Sequence, residues 1–392
     1  MTPAARVQAA IELLDEIIVA AREAGPAADT IIQRWFKARR YAGSKDRRAI
    51  RDLVYRAIRR FGDRPESGRA AMLGIAAEDC ALGALFDGST YGPSPRLEGD
   101  AVAAGGLLPG WIAAHLDPLA GPPESLLERA PLDLRVNRLK TSREAMLERI
   151  PEAEATLHAP LGLRLPEGSP IEQHDAWLSG QVEIQDEGSQ LVALACAADA
   201  GSFVVDLCAG AGGKTLALAA AMENEGRILA CDVNRERLSR LSPRLERAGV
   251  SIVETRLLDA GREPEALAPL AGTADTVLVD APCSGSGTWR RNPETRWRLT
   301  SKRLEQLVTT QAYLLDIALG LLRPGGLLVY AVCSLLTDEG RGQAEAFASR
   351  HPSFVQAEPA INAGIPCGRG RMLVPARDGT DGFFIACWRA PC

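Results

Sequence analysis

The chain has 392 residues, 46% of them hydrophobic, and a formal net charge of −5 at neutral pH. That length holds about two or three domains and enough apolar material for a large core. Nine scattered cysteines, an odd number with no CxxC pair, and only four histidines argue against a disulfide framework and against a zinc site, and they fit a reducing compartment.

The first 25 residues carry Val7, Ala10, Ile11, Leu14, Ile17, Ile18 and Ala21 at the spacing of an amphipathic helix. Glu12, Asp15 and Glu16 interrupt the apolar core that a signal peptide would need. No apolar run reaches the roughly 18 residues that span a bilayer. A soluble, cytoplasmic protein with no membrane partner is therefore expected. Helical patterns continue over about 28–40 and 46–61 and, more weakly, to about 118. Residues 34–60 hold eleven Lys/Arg and two Asp, a net +9, so the rest of the chain carries −14. Such a concentration on an acidic protein can bind phosphates locally, or it can be an ordinary solvated helix face.

The segment "LAGPPES" (119–125) looks like a linker. Beyond it, "LDLRVNRL" (132–139) alternates like a strand. "TSREAMLERI" (141–150) reads as a helix with Thr141 as its cap and Glu144 three residues later, and "GLRLPE" reads as another strand. From about residue 181, short apolar strands alternate with helices. Strands are expected near 202–207, 227–232, 251–257, 275–280, 327–332 and 383–388, and helices near 187–198, 214–223, 234–248, 301–321 and 338–350. This is the pattern of an α/β fold with a mostly parallel sheet covered on both faces. The expected domains are 1–125, all-helical; 126–180, a small α/β subdomain; and 181–392, the parallel-sheet domain.

"VVDLCAGAGGKTLALAA" (204–220) is strand, glycine turn and helix. Gly210, Gly212 and Gly213 allow a tight turn and close approach of a ligand. A phosphate-binding P-loop, a nicotinamide dinucleotide site, a nucleoside site and a purely structural turn all compete for this loop. The P-loop needs a glycine where Cys208 stands, and GxGxxG is not met. Asp232 ends the second strand, 22 residues past Gly210, where a carboxylate can accept both hydroxyls of a ribose. Asp259 follows the third strand, within expected reach of an adenine amino group, and Asp280 ends the fourth. Three such carboxylates suit a nucleoside and would repel a triphosphate, although any one of them can be a helix cap.

Two thiols stand just past strands: Cys283 in "VDAPCSGSG" and Cys333 in "LLVYAVCS". A methyl group can be placed on carbon 5 of cytosine only after a nucleophile has added to carbon 6, and a thiolate both attacks and leaves well. Such a site also wants an acid at the ring's N3 and amino edge, a role open to Asp280, and a second group to resolve the adduct. The residue types do not decide which thiol does which, and each alone can be an inert buried cysteine.

"DAPCSGSGTWRRNPETRWRLT" (280–300), "CAGAGGK" (208–214), "VYAVCSLLTDEG" (329–340), "RVN" (135–137), "IQDEGSQL" (184–191) and "DGFF" (381–384) resemble the Sun/Nol/Nop family of RNA cytosine-5 methyltransferases. The resemblance covers about 130–392. The N-terminal helices are similar to the NusB-like RNA-binding domain of the bacterial 16S ribosomal RNA members. It implies a Rossmann-like class I methyltransferase domain, S-adenosylmethionine as cofactor, and RNA, 16S ribosomal RNA in particular, as partner. It implies Cys333 as the nucleophile, Cys283 as the group that aids product release and Asp280 beside them. Cofactor positions fall on Cys208, Ala209, Gly210, Ala211, Gly212, Gly213, Lys214, Asp232, Asp259 and Asp280. The chain departs from the family at Ala331-Val332, where Ser-Thr is usual.

Arg290, Arg291, Arg296 and Arg298 lie beside Trp289 and Trp297, a combination that can pair with phosphates and stack on bases, or fold onto the domain through buried tryptophan. A single-stranded cytosine, needing no extrusion from a duplex, is the easier substrate. Two other function classes fit the same residues: a non-catalytic RNA-binding assembly factor that has kept the fold, and a P-loop nucleotide hydrolase.

Overall fold

A computed structural model describes residues 1–23 and 25–392. The chain forms two compact units: Met1–Leu116 with Pro122–Glu128 and Thr288–Ser301, and Asp117–Gly121 with Arg129–Gly287 and Lys302–Cys392.

The first unit is helical. Helix α1 (Pro3–Arg22) starts with Pro3, whose missing N–H costs nothing in a first turn, and the Thr2 hydroxyl accepts from the Ala5 N–H. All seven apolar positions expected to face the core are buried, and Leu13, Ala9 and Ala20 join them, so α1 is enclosed on most of its circumference. Helices α2 (Ala28–Ala38), α3 (Ser44–Arg60) and α4 (Gly68–Ala76) complete a core that includes Ile32, Trp35, Ile50, Val54 and Phe61. Gly68 is required where α4 meets α1: a Cβ there would lie 2.1 Å from the Ile11 carbonyl oxygen. Asp15 accepts from the Gly68 N–H at 2.6 Å, satisfying an orphan donor of the α4 N-terminus. Past α4 the expected helical continuation to 118 is reduced to short pieces, Cys80–Gly83 and Ile112–Ala114. The intervening "FDGSTYGPSPRLEGDAVAAGGLLPG" is too rich in Gly and Pro to propagate a helix.

The second unit holds two sheets. Strands β1 (Leu132–Val136), β2 (Glu154–Ala155), β3 (Gly162–Leu165) and β4 (Val182–Ile184) form an antiparallel sheet in the order β2-β3-β1-β4. Its own core comprises Leu134, Val136, Met146, Leu163, Leu165 and Val182. The helix Arg143–Arg149 is capped by Ser142, not by Thr141: the Ser142 hydroxyl accepts from the Ala145 N–H.

The larger sheet has nine strands. β5 (Phe203–Asp206), β6 (Arg227–Asp232), β7 (Val253–Leu257), β8 (Ala274–Asp280) and β9 (Leu322–Val332) are parallel, in the order β7-β6-β5-β8-β9. Val204, Val205, Ile228, Leu229, Val277, Val279, Leu328 and Val329 have no exposed surface, as strands covered on both faces require. The sheet continues antiparallel through β13 (Phe383–Arg389), which pairs β9, and through three short strands missed in the sequence: β10 (Val355–Ala357), β11 (Ile365–Cys367) and β12 (Gly370–Leu373). The helix expected over 234–248 is broken into Arg235–Ser239 and Leu241–Ala248. Pro243 explains the break, since its ring excludes the Ser239 carbonyl from a continuous helical ladder. Among the described residues no helix is long and apolar enough to cross a membrane.

Candidate functional site

The carboxyl ends of β5, β6, β8 and β9 deliver Asp206, Asp232, Asp280 and, one residue past its strand, Cys333 to one edge of the parallel sheet. That edge is where open α/β sheets bind ligands, because helices and loops leave a crevice there. In the β8–β9 register Asp280 lies opposite Ala331, so Cys333 is only two residues further along the neighbouring strand.

The glycine loop joins β5 to the helix Gly213–Ala221. Gly210 and Gly212 have φ of 56° and 84°, the left-handed region that favours glycine. Neither has room for a side chain: a Cβ would lie 2.4 Å from the Arg237 guanidinium at Gly210 and 2.0 Å from Leu241 at Gly212. Asp232 braces this loop, its carboxylate accepting from the Gly210 N–H at 2.8 Å and the Asn234 N–H at 2.7 Å. The cap of the following helix is Asn234, whose side chain accepts from the Arg237 N–H. Each Asp232 oxygen keeps a second lone pair for a ligand hydroxyl. Asp259, beyond β7, is exposed. Cys208 is carried on the same loop, and burial raises its thiol well above the ordinary range. Asp206 is wholly buried and accepts from the Thr215 hydroxyl at 2.7 Å; burial pushes its carboxyl up to about 7.

Lys214 pairs with Asp280, both of them expected among the cofactor-binding positions. Its Nζ lies 2.6 Å from the Asp280 carboxylate. Burial works against the ammonium, but Asp280, Cys333 and Asp206 outweigh it and hold the group above its ordinary value. A P-loop lysine must reach β- and γ-phosphates; this one is engaged by a carboxylate.

The two thiols meet. Cys283 Sγ and Cys333 Sγ are 3.4 Å apart, each half-buried. The loops that carry them are stitched together by the Ala281 N–H donating to Ala331 and the Gly287 N–H donating to the Cys333 carbonyl. The Cys283 thiol is raised well above the ordinary range, first by its hydrogen bond to Cys333 and then by burial, the Cys333 charge and Glu339. A sulfur pair, a carboxylate and an ammonium thus stand at one edge of the sheet, the set needed for nucleophilic addition with a proton-carrying partner. Ala331 and Val332, where the family usually has Ser-Thr, are fully buried in the sheet.

Of the two readings of the arginine–tryptophan segment, its burial matches the second, folding through buried tryptophan: Thr288–Ser301 belongs to the helical unit. Trp289 and Trp297 are buried, and Trp297 Nε1 donates to the Phe61 carbonyl at 2.8 Å. Arg296, 1% exposed, donates to the carbonyls of Ile58, Pro293 and Leu107. Arg298 donates to Gly25 and Pro26. Arg296 and Arg298 thus cross-link main-chain carbonyls of the helical unit. In the basic stretch, Arg39, Arg51, Arg56 and Arg60 pair with Glu12, Asp29, Asp79 and Glu78, while Arg34, Lys37, Arg40, Lys45 and Arg48 are exposed.

Sequence reasoning also passed over Glu339, Ser284, Ser286, Ser334 and Gln311, which form a buried polar cluster behind the thiols. Little in the sequence signalled Glu339: it stands six positions after Cys333 in "TDEGRG" (337–342), a polar stretch that reads as exposed.

A family model described as 16S rRNA methyltransferase RsmB/F matches residues 193–389. The chain is 34% identical over 292 residues to ribosomal RNA small subunit methyltransferase B of Salmonella typhi, covering 71% of this chain and 66% of that protein. The match therefore spans less than two thirds of the curated relative's length. Among solved structures, a methyltransferase homolog protein from Pyrococcus horikoshii is similar at 29% identity and a TM-score of 0.60, over 68% of this chain and 89% of that one. The protein PH0851 shares the fold over 99% of both chains, with a TM-score of 0.78 at 23% identity.

Proposed function

The chain belongs to the 16S rRNA methyltransferase RsmB/F family, and from that premise we propose that it transfers a methyl group from S-adenosylmethionine to carbon 5 of a cytosine in RNA, with 16S ribosomal RNA the substrate, through a covalent bond between Cys333 and carbon 6. The observation that carries this reading is the 3.4 Å approach of the Cys283 and Cys333 sulfurs beside the Lys214–Asp280 pair.

S-adenosylmethionine supplies an electrophilic methyl group when bound. The residues fit it. The loop Cys208–Lys214, kept open by two glycines that tolerate no Cβ, and the strand-end carboxylate of Asp232 would hold the nucleoside, with Asp259 toward the adenine. In the proposed reaction Cys333 adds to carbon 6, and the electron pair of the 5,6 double bond becomes available at carbon 5. Asp280 accepts from the exocyclic amine, and the ammonium of Lys214 brings a proton to the N3 edge as negative charge builds in the ring. Once carbon 5 is methylated, its proton passes to water, the electron pair of that C–H bond re-forms the 5,6 double bond as the bond to Cys333 breaks, and the N3 proton returns to Lys214. The raised thiol of Cys283, still carrying its proton, is placed to return one to the departing sulfur. The exposed Arg34, Lys37, Arg40, Lys45 and Arg48 support phosphate binding by the helical unit.

The test uses the full chain, ribosomal RNA and methyl-labelled donor. Cys333→Ala is expected to lose transfer while still binding donor in calorimetry. Cys283→Ala is expected to accumulate a protein–RNA adduct on denaturing gels. Wild-type transfer by Cys333→Ala, or a methyl mapped to an atom other than carbon 5, sinks the reading.

A further inference from the structure

We infer that Glu339 is the positioning residue that fixes the two site thiols against each other, one buried carboxylate gripping the residue that follows each cysteine. The inference rests on the reading of the site given above and adds a residue to it.

Glu339 is wholly buried. One oxygen accepts from the Ser284 N–H at 2.8 Å and from Gln311 Nε2 at 3.0 Å; the other accepts from the hydroxyls of Ser284 and Ser334, each at 2.5 Å. Ser284 follows Cys283, and Ser334 follows Cys333. The carboxylate therefore spans the two loops one residue behind the sulfurs. Gln311 Nε2 also donates to the Pro282 carbonyl at 3.0 Å, so Cys283 is held on both its sides. Ser286 closes the cluster, with its hydroxyl 3.1 Å from that of Ser334 and accepting from the Leu335 N–H at 2.8 Å. Tyr330 anchors the Glu339 main chain by donating to its carbonyl at 2.7 Å.

Stability alone does not account for this arrangement. All four donors to the carboxylate are neutral, and a buried charge without a counter-ion is worse for folding than a well-packed apolar side chain. What the carboxylate supplies is geometry and field. Four convergent bonds leave the two loops one arrangement, in which the sulfurs are 3.4 Å apart. The Cys333 hydrogen bond, burial and Glu339 all favour the protonated form of Cys283.

The test is Glu339→Gln in the full chain, with two readouts. Alkylation of Cys283 by iodoacetamide is followed against pH by peptide mass spectrometry; removing the carboxylate charge is expected to move its midpoint down by about one pH unit. Methyl transfer is expected to lose about 100-fold in kcat with KM for donor and RNA unchanged, the cost of a misplaced nucleophile. A folded variant with wild-type alkylation and wild-type kcat overturns the inference. Should Glu339→Gln not fold, Ser284→Ala and Ser334→Ala carry the test: lower kcat at constant KM in both supports the positioning role, and wild-type kcat in both overturns it. The alkylation arm needs no RNA. A wild-type chain that transfers no methyl group would defeat the functional reading and still leave Glu339 decided.

Discussion

Asp206→Asn isolates the cost of the acidic edge on which the site is built. Asp206 is wholly buried, and its carboxyl is pushed from 3.8 to about 7, first by burial, with the Thr215 hydroxyl bond opposing. Between those two values the folded protein holds a proton that the unfolded chain has released. Folding stability must therefore fall as pH rises from 3.8 toward about 7, and level off above it. At about 1.4 kcal/mol per pH unit, the gap corresponds to a loss of about 4 kcal/mol. Asparagine is neutral throughout, keeps a carbonyl oxygen for Thr215 and carries no such slope. Denaturant unfolding of wild type and variant at about pH 4 and about pH 8 gives four stabilities, and the quantity of interest is the difference of the two pH dependences. The variant is expected to be the more stable protein at the higher pH and close to wild type at the lower one. An identical pH dependence in both proteins would refute the reasoning, because Asp206 would then be titrating in the folded state as it does in water.

Gly212→Ala puts a Cβ 2.0 Å from Leu241 at a φ of 84°, so the glycine loop must shift; donor affinity by calorimetry should fall about tenfold while RNA binding is kept. Arg296→Met leaves the carbonyls of Ile58, Pro293 and Leu107 without their donor and should cost the full chain about 3 kcal/mol in urea unfolding; a change within error of zero would mean that those bonds are not formed in solution. Replacing both Lys45 and Arg48 by Gln, on an exposed stretch of α3, should weaken RNA binding for all sequences and lower the salt slope of binding by about 1.5, whereas an unchanged slope removes α3 from the RNA contact.

Much of the site could be read from the chain because its parts are local. A glycine loop between an apolar strand and a helix, and polar residues standing at the ends of fully apolar strands, are recognisable without knowing what lies beside them. The strands of the parallel sheet were placed to within a few residues, since a run buried on both faces leaves little ambiguity of register. The short strands β10, β11 and β12 escaped. Ile365–Cys367 contains a proline and Gly370–Leu373 begins with a glycine, so they form strands because an edge is available beside β13 and not through propensity.

The sequence by itself determined the kinds of elements, the glycine loop and the two thiols, since each is written in consecutive residues. Tertiary structure alone decided the partners. Lys214 meets a carboxylate 66 positions away, and Trp297 is buried with its Nε1 on the Phe61 carbonyl, 236 positions away. Glu339 is joined to residues behind both cysteines. A charge or an aromatic ring carries the same letter whether it ends in solvent or in a core, and only the packing of distant segments sets its depth and its neighbours.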